Sequence, residues 1–568
     1  MTTHTSTVRP ALPDGIVLEE NVYVTMRDGV RLAADIYRPE EPGRYPGILS
    51  MSPYIKDIQQ WPPAISHSIE AGNTPFFLRH GYVHVIVASR GSGLSQGQWA
   101  PFDLAQQQDG YDMVEWIAEQ PWCNERVTML GDSYFAIMQW LVALQRPPHL
   151  ACIAPADGST DFYRDYAWKG GLFNTAFFGM WGPDTMAQCY WPGEVEGKLP
   201  PADLFNAFLS HPEDGEFWWN MSSWTRLQEI EIPVLSIIPQ PSQNHSRGQL
   251  WGYPKLTSPK KLLVLPWNRQ SHVTFIESVP LNEYVIRWFD HWCKDVATGI
   301  MDEPEVMICD SVTQEWRYET DYPLSRAQWT KYYFHGGAEQ PATDSPYGRL
   351  DRETPGAEAP DSFPTGSRLP GTADMSHDPR TPPETVRLIT GEPQIAFVSE
   401  PLSEDIRVWG PMGVSFWAAI DTLDMAFFVK LADLREDGHR EVISEHVLKA
   451  SYREVDDTRS GPGLPFHPYT NPSRPSAGEI YEYNVELPPK FWTFRAGHRI
   501  RVEISGDDNA YHLMLHTVYT SELLPVPGEA KIYHDQQRPS HLLLPLIPDA
   551  PPIREVSKPV ADIQWPIG

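Results

Sequence analysis

The sequence predicts an α/β protein: a doubly wound parallel sheet, interrupted by a helical insertion and followed by an all-β domain. Three observations carry this prediction. Strand and helix patterns alternate over the first 150 residues, an aromatic-rich segment without strand alternation follows, and short strands separated by turn residues fill the chain from residue 394. With 568 residues, 41% of them hydrophobic, the chain is long and apolar enough for several buried cores.

The first half of the sheet is predicted from four segments. Residues 17–39 alternate apolar and polar side chains around the turn at 27–29, which indicates a β-hairpin. Residues 47–50 form a short apolar run, and residues 82–88 (YVHVIVA) are strongly β-branched, as in a central parallel strand. Apolar side chains at helical spacing over 111–118 predict the helix that leads to the next strand.

That next strand runs directly into a helix within residues 126–144 (RVTMLGDSYFAIMQWLVAL). A serine in such a tight turn is held in a strained conformation with its hydroxyl exposed, beside backbone N–H groups that face whatever it attacks. This predicts Ser133 as a nucleophile with the N–H of Tyr134 beside it. The pattern departs from G-x-S-x-G, because Phe135 occupies the second glycine position and the small residue, Ala136, comes one later.

Residues 154–226 are crowded with aromatic side chains and glycines, which predicts a mainly helical cap over the sheet. Most of these aromatic residues are expected to pack the core of the cap. A few are expected to line an apolar substrate pocket where the cap meets the sheet. The candidates for this substrate-binding wall are Trp168, Phe173, Phe177 and Trp181.

The remaining segments complete the domain prediction. Strand patterns return at 232–238 and 261–265, a helix pattern follows over 281–295, and a loop rich in Pro, Gly, Asp and Thr is expected at about 338–383. We therefore expect four regions in order. They are the first part of the α/β domain (1–150), a cap (151–230), the second part of the α/β domain (231–325) and a β-sandwich (326–568).

Composition excludes several classes of function. A formal charge of −29 argues against a nucleic-acid partner, whose phosphates require Lys and Arg. The five cysteines show no metal-like or disulfide-like spacing, so we expect reduced structural thiols and neither a metal nor a cofactor. No N-terminal apolar segment or membrane-length apolar run occurs, which predicts a cytoplasmic protein without a membrane partner. We expect a small-molecule substrate, and a homo-oligomer is possible.

Taken together in their order and spacing, several strings resemble the CocE/NonD hydrolases, relatives of the X-prolyl dipeptidyl aminopeptidases, over nearly the whole chain. They are RDGVRLAADIYRP, SPYIKD, RGSGLSQG, DGYDMVEWIAEQPWCNERVTMLGDSY, IEIPVLSI, LPW, RWFDHWCKD and FRAGHRIRVEIS. The resemblance implies an α/β-hydrolase domain with an inserted helical cap and a C-terminal jelly roll. It also implies Ser133 as nucleophile and an oxyanion hole shared by the backbone N–H of Tyr134 and the phenol of Tyr54.

The resemblance fails at the two remaining positions of a catalytic triad. The family has an aspartate after the strand that here reads PVLSII, in a G-G-W-x-D segment, but residues 239–248 (PQPSQNHSRG) contain no acid. The family histidine follows in P-W-x-H, whereas here Arg269 stands at that position. The general base and the group that orients it are therefore open.

A histidine is the preferred replacement, because only imidazole titrates near neutral pH without strong tuning. His272, three residues beyond Arg269, is the first candidate for the base and His245 is the second. A neutral amide could orient it, as in Cys-His-Asn enzymes, which makes Asn244 or Gln243 a candidate.

Three functional hypotheses follow. The first is a serine hydrolase that acts on a compact ester or amide with an apolar acyl group, or transfers that group to a small acceptor. The alternative is a repurposed fold that catalyses a lyase, isomerase or cyclase step, motivated by Arg269 and the acid-free segment. The third is a binding or scaffold protein without catalysis, against which the presence of Ser133 and Tyr54 argues.

Overall fold

The computed structural model describes residues 12–61, 66, 68–239, 245–266, 278–336, 347–365, 395–506 and 528–555. Their strands form a ten-stranded mixed sheet, an eleven-stranded sheet and a two-stranded hairpin. The predicted α/β class with a β-rich C-terminal region is thereby confirmed. None of the helices described is long and apolar enough to cross a bilayer. Whether the expected boundaries separate true domains stays a prediction.

The first sheet takes the strands of the N-terminal half. In chain order the strands to Glu319 are β1 (Ile16–Thr25), β2 (Arg31–Pro39), β3 (Tyr45–Ser52), β4 (Val83–Ala88), β5 (Cys123–Met129), β6 (Leu150–Ile153), β7 (Trp168–Lys169), β8 (Leu172–Phe173), β9 (Val234–Pro239), β10 (Lys260–Leu265), β11 (Val306–Cys309) and β12 (Trp316–Glu319). Their order in the sheet is β1-β2-β4-β3-β5-β6-β9-β10-β11-β12, and β7 pairs only with β8 within the described chain.

The strands from β3 to β11 along this order are parallel, so their carboxyl ends meet at one edge of the sheet. The predicted hairpin is present, with Thr25 of β1 opposite Arg31 of β2. Strand β4 is fully buried, as its β-branched sequence predicts, but it is parallel only to β3. It is antiparallel to β2, because the N-terminal hairpin adds to this edge of the sheet.

Eight α-helices lie in the described chain. They are α1 (Thr74–Arg79), α2 (Leu104–Ala118), α3 (Tyr134–Gln145), α4 (Thr175–Tyr190), α5 (Leu204–Leu209), α6 (Glu216–Trp219), α7 (Ser246–Gly252) and α8 (Val279–Cys293). The predicted helices correspond to α2, α3 and α8. Several begin at a side-chain cap: Asp103 accepts a hydrogen bond from the N–H of Gln106 at the start of α2, and Ser278 accepts one from Leu281 at the start of α8.

The cap lies between β6 and β9 and contains α4, α5 and α6, a π-helical turn at Tyr163–Ala167 and the hairpin β7–β8. The hairpin was not predicted, since each of its strands is only two residues long. It docks on the C-terminal region through Gly170, where an added Cβ would lie 1.9 Å from the carbonyl oxygen of Val447. The absence of a side chain thus allows backbone-to-backbone contact, and the N–H of Lys449 donates to the Gly170 carbonyl at 2.8 Å.

The C-terminal sheet is entirely β, in agreement with the prediction. Its strands are β13 (Gln328–His335), β14 (Tyr347–Asp351), β15 (Asp361–Thr365), β16 (Ile395–Ser399), β17 (Ile406–Ile420), β18 (Ala426–Leu434), β19 (Arg440–Lys449), β20 (Ile480–Phe494), β21 (Arg499–Ser505), β22 (Gly528–Tyr533) and β23 (His541–Leu546). The loop expected at 338–383 was wrong for β14 and β15. Both strands are held by distant partners, β16 and β22, which local turn composition does not reveal.

Candidate active site

Ser133 lies in the turn between β5 and α3, where the sequence predicted a strained nucleophile. Its φ is 55° and its ψ is −112°, a conformation that costs a non-glycine residue free energy. The Ser133 N–H donates to the carbonyl of Ala156 at 3.1 Å, which fixes the turn against the segment after β6. Gly131 is required just before it, because its φ is 133° and an added Cβ would lie 2.4 Å from Cβ of Phe135.

The turn tolerates Phe135 at the second glycine position because the close approach occurs one residue later. Ala136 is fully buried, and a Cβ added at Gly158 would lie only 2.5 Å from its methyl group. Helix α3 therefore packs on the segment after β6 through an alanine and a glycine. Phe135 points elsewhere and makes an edge contact with the ring of Tyr54, at 6.3 Å between centroids.

His245 lies next to this turn, directly before α7. Its Nε2 is 3.4 Å from Oγ of Ser133, and its Nδ1 is 3.1 Å from Oδ2 of Asp157. His245 is 3% exposed and Asp157 is completely buried, whereas Ser133 is half-buried. The three side chains form a continuous run of polar contacts in the order serine, imidazole and carboxylate.

The sheet explains why these residues meet. Ser133 follows β5, Asp157 follows β6 and His245 follows β9, and these three strands are consecutive neighbours in the sheet. Side chains that follow neighbouring parallel strands lie together at the carboxyl edge. The Asp157 N–H also donates to the carbonyl of Ile237 in β9 at 3.0 Å, which holds this loop close to the strand that leads to His245.

His245 was the second candidate for the base, and Asp157 was not predicted at all. The sequence alone shows only an aspartate shortly after the apolar run at residues 150–154. That this run lies between the strands that lead to Ser133 and His245 follows from the order of strands in the sheet. The first candidate for the base, His272, lies outside the described residues, as do Asn244 and Gln243. Their suggested roles stay predictions.

Helix α7 is tied to the loop that carries Asp157. The Gln249 side chain accepts from the N–H of Gly158 at 2.8 Å and donates to the carbonyl of Pro155 and to Oγ of Ser236, both at 2.9 Å. A single amide side chain therefore links α7 to β9 and to both sides of Asp157. His245, at the start of α7, is held in register with the carboxylate.

Arg247 ties the same helix to two further regions. Its guanidinium lies 3.0 Å from Oδ1 of Asp165 and hydrogen bonds in a two-pronged manner to Glu486 of β20, with one contact at 3.1 Å. All three side chains are buried. The C-terminal sheet thus contributes a buried ion pair to the helix that begins beside His245.

Tyr54 and Tyr134, the two predicted oxyanion donors, lie together beside the serine turn, with ring centroids 5.8 Å apart. The Tyr54 hydroxyl accepts a hydrogen bond from Nε1 of Trp181 at 2.9 Å. Burial raises the pKa of Tyr54 well above 10, and the charge of Glu70 raises it further. The phenol therefore stays protonated at neutral pH and keeps a proton to donate.

Tyr134 offers its backbone rather than its side chain. It is the first residue of α3, so its N–H has no acceptor within the helix. Its phenol is committed to the fold, since it accepts from Nε1 of Trp99 at 3.2 Å and donates to Gln106 at 2.9 Å. The Tyr134 N–H is thus adjacent to Ser133 in the chain, and the ring of Tyr54 contacts the rings of Tyr134 and Phe135, the two residues that follow Ser133.

The four aromatic candidates for a substrate-binding wall fall into two pairs. Phe177 and Trp181 stack at 5.4 Å, and Trp181 reaches Tyr54 while Phe177 contacts the ring of Tyr166 at 5.3 Å. Tyr166 in turn makes an edge contact with His245 at 5.1 Å. Phe177 and Trp181 therefore belong to an aromatic layer that runs from Tyr54 to the imidazole of His245.

Trp168 and Phe173 lie deeper in the cap. They contact each other at 5.2 Å, Trp168 donates to the carbonyl of Phe208 at 3.3 Å, and Phe173 stacks on Phe178. These contacts are those of core packing, which was the other interpretation of the aromatic segment. Their part in substrate binding stays a prediction.

Comparison with known families covers both halves of the chain. The family X-Pro dipeptidyl-peptidase (S15 family) matches residues 28–273, the range that contains every residue of the site described above except Glu486. The X-Pro dipeptidyl-peptidase C-terminal non-catalytic domain matches residues 298–543.

Individual relatives extend over nearly the full length. The cocaine esterase of Rhodococcus sp. (strain MB1 Bresler) is 27% identical over 93% of this chain and 98% of its own. Among solved structures, a CocE/NonD family hydrolase from Staphylococcus aureus has a TM-score of 0.78 at 24% identity, with 94% of each chain covered. An α-amino acid ester hydrolase has a TM-score of 0.73 at 17% identity, over 96% of this chain and 99% of that one. Both structures share the fold of this chain.

Proposed function

This chain belongs to the CocE/NonD family of serine hydrolases, and we propose that it cleaves a compact ester or amide with an apolar acyl group through an acyl-enzyme on Ser133. In this proposal His245 is the general base and Asp157 is the carboxylate that orients it. One observation carries the assignment: Ser133 Oγ, His245 and Asp157 form a run of contacts at 3.4 and 3.1 Å.

These distances suit a free enzyme of this class. A serine hydroxyl becomes a good nucleophile only when a base accepts its proton and a third group orients the base. The 3.4 Å separation of Ser133 and His245 is longer than a hydrogen bond in an assembled site, and such contacts often tighten when substrate binds. The 3.1 Å approach of Asp157 Oδ2 to Nδ1 of His245 supports the tautomer that carries its proton on Nδ1 and leaves Nε2 free to accept one.

In the first half-reaction Ser133 Oγ bonds to the scissile carbonyl carbon while its proton passes to Nε2 of His245. The Tyr134 N–H and the Tyr54 hydroxyl donate hydrogen bonds to the oxyanion that forms. A donor of this kind lowers the barrier by about 3–4 kcal/mol. When the intermediate collapses, the bond to the leaving group breaks and His245 gives its proton to that group.

In the second half-reaction water attacks the acyl-enzyme, and His245 accepts a proton from it. The new intermediate collapses, the Ser133 ester bond breaks and the proton returns to Oγ. Transfer of the acyl group to another small nucleophile uses the same groups with that nucleophile in place of water. Phe177 and Trp181, which extend from Tyr54 toward His245, support a compact apolar acyl group beside the oxyanion donors.

The proposed assignment accounts for both departures from the family pattern. The family resemblance implies an acid after the strand that corresponds to β9 and a histidine after the one that corresponds to β10. Here the carboxylate follows β6 and the imidazole follows β9, so each has moved by one strand toward the nucleophile. The chain order Ser133, Asp157, His245 still matches that of α/β-hydrolases.

The test is covalent labelling by an alkyl fluorophosphonate, followed by intact-protein mass. The P–F bond breaks, the Ser133 oxygen bonds to phosphorus and the proton passes to the base, so the labelling rate reports nucleophile activation without a known substrate. We expect one adduct on the parent protein and none on Ser133→Ala.

Two matched variants identify the base. We expect His245→Gln to slow labelling by about 100-fold or more, and His272→Gln to change it by less than about threefold. The reverse result would transfer the role of base to His272. An equal adduct on Ser133→Ala would overturn the proposed nucleophile.

A further inference from the structure

Tyr166 is a buried tyrosine whose hydroxyl the fold does not use. The residue is 2% exposed and lies in the π-helical turn Tyr163–Ala167. Its hydroxyl has no hydrogen-bond partner among the described residues.

Packing explains the ring of Tyr166 but not its oxygen. The ring contacts Phe162 at 5.1 Å and Phe177 at 5.3 Å, and a phenylalanine would make both contacts. A buried hydroxyl without a partner costs about 1–3 kcal/mol relative to one that is hydrogen-bonded. The oxygen therefore destabilises the free protein unless something else binds to it.

The position of this hydroxyl links it to the proposed reaction. The Tyr166 ring meets His245 edge-on at 5.1 Å and belongs to the aromatic layer that leads through Phe177 and Trp181 to Tyr54. Burial raises the pKa of Tyr166 well above 10, and the charge of Asp157 is the next cause. The phenol is thus a neutral donor between the two ends of the site.

We propose that Tyr166 is a substrate-binding residue whose hydroxyl donates a hydrogen bond to an uncharged oxygen acceptor near the scissile bond of the substrate. This inference rests on the proposed function and adds a second polar contact to it, beyond the oxyanion donors. The substrate class becomes a compact ester or amide that carries an ether, hydroxyl or second carbonyl oxygen.

The charges around Tyr166 restrict that acceptor to a neutral group. Asp157, Asp165 and Glu70 all act electrostatically on its hydroxyl. A carboxylate or phosphate on the substrate at this point would be repelled by Asp157 and Glu70, whereas Asp165 is paired with Arg247 and burial raises its pKa to about 7. A neutral oxygen gains the hydrogen bond without that cost.

The experiment compares fluorophosphonates that differ by one atom. Each pair has the same tail, with one methylene replaced by an ether oxygen at the third or the fourth position, and the rate of adduct formation on the full-length protein is measured. In the parent protein we expect faster labelling by the ether member of at least one pair. In Tyr166→Phe we expect the ratio of the ether rate to the alkyl rate to fall about five- to tenfold, the worth of one hydrogen bond.

Tyr163→Phe is the matched control. Tyr163 lies in the same turn and is equally buried, but its hydroxyl donates to the carbonyl of Pro212 at 2.7 Å. We expect this variant to unfold at a lower denaturant concentration than the parent protein and to keep the ether preference. Tyr166→Phe should lose no stability, since its hydroxyl has no hydrogen-bond partner among the residues that the structure describes.

The outcomes separate the two proposals. No adduct on the parent protein, or an equal adduct on Ser133→Ala, defeats the proposed function itself. Labelling at Ser133 with the same ether-to-alkyl ratio in the parent protein and Tyr166→Phe overturns the role of Tyr166 alone. So does a stability loss in Tyr166→Phe as large as that in Tyr163→Phe, because it would mean that the hydroxyl already has a partner.

Discussion

The turn that carries Ser133 and the segment that carries His245 are built in opposite ways. The serine turn takes its geometry from residues within a few positions of one another, namely Gly131, Ser133 and Phe135. The His245 segment is held by residues far along the chain: Asp157 beside the imidazole, Gln249 to the loop after β6, and Arg247 to Glu486. A nucleophile is thus encoded locally, whereas the base depends on strand order and on the C-terminal sheet.

This difference indicates which catalytic residues can change position between members of such a fold. The serine must stay in a strained strand-to-helix turn, and few sequences provide one. The base and acid need only reach the carboxyl edge of neighbouring strands. In this chain the proposed base and acid follow β9 and β6, and the long-range contacts of Arg247 and Gln249 hold these segments there.

The largest effect is expected from Asp157→Asn, which tests whether Asp157 orients His245. The amide keeps the shape of the side chain but removes the charge that orients and stabilises the imidazolium. A substitution of this kind costs serine proteases about 10⁴ in kcat. We expect a loss of about 10³- to 10⁴-fold in kcat with little change in KM, measured on any ester that the parent protein hydrolyses.

Asp103→Asn is the control for that substitution. Asp103 caps α2 by accepting from the N–H of Gln106 at 2.9 Å, and asparagine caps about as well as aspartate. This variant should keep parent activity and stability. If Asp157→Asn retained more than about a tenth of parent kcat, another group would have to orient the base.

The hold of the C-terminal sheet on the base segment is tested by Glu486→Gln. The change leaves Arg247 buried with one charged partner fewer, which we expect to cost about 3 kcal/mol of unfolding free energy. We also expect kcat to fall about tenfold with KM nearly unchanged, because a shift of the imidazole affects the chemical steps more than binding. Glu482→Gln, an exposed position on the same strand, should do neither.

The stability deficit of Glu486→Gln should depend on pH in one direction. Burial raises the pKa of Glu486, but the charge and hydrogen bonds of Arg247 outweigh this effect. The pKa of Glu486 in the folded protein therefore lies below its ordinary value of 4.5. A carboxyl with a lowered pKa stabilises the fold fully above its unfolded pKa and loses that contribution as pH falls through the folded one. The deficit should be full at neutral pH and shrink below pH 4.5, as measured by denaturant unfolding. A deficit independent of pH would mean that the charge is not what holds the segment.

The sequence predicted the features that local residues determine, and it missed those that depend on distant segments. Ser133, Tyr134 and Tyr54 came from local motifs and a family pattern, and the α/β sheet came from short-range alternation. His245 was only a second candidate and Asp157 was missed, because both depend on β6 lying beside β9, which residues 150 and 234 do not reveal on their own. The hairpin β7–β8 was missed because each of its strands is only two residues long, and β14 and β15 were missed because they pair with β16 and β22, which lie further along the chain.

The smallest expected effect is on stability, at the contact between the helix that follows the serine turn and the loop that carries Asp157. This contact lies between Ala136 of α3 and Gly158. A Cβ added at Gly158 would lie 2.5 Å from the Ala136 methyl, so Gly158→Ala should cost about 1–3 kcal/mol of unfolding free energy. Ala136→Gly alone should cost about 1 kcal/mol, the penalty for glycine inside a helix. In the double variant the 2.5 Å contact is gone, although tight contacts to the backbone carbon of residue 136 at 3.0 Å and to the Ile137 nitrogen at 3.2 Å remain. We expect the double variant to be more stable than Gly158→Ala, with a coupling energy of about 1 kcal/mol or more. Additive losses in this cycle would mean that the serine turn and the acid loop do not depend on this close contact.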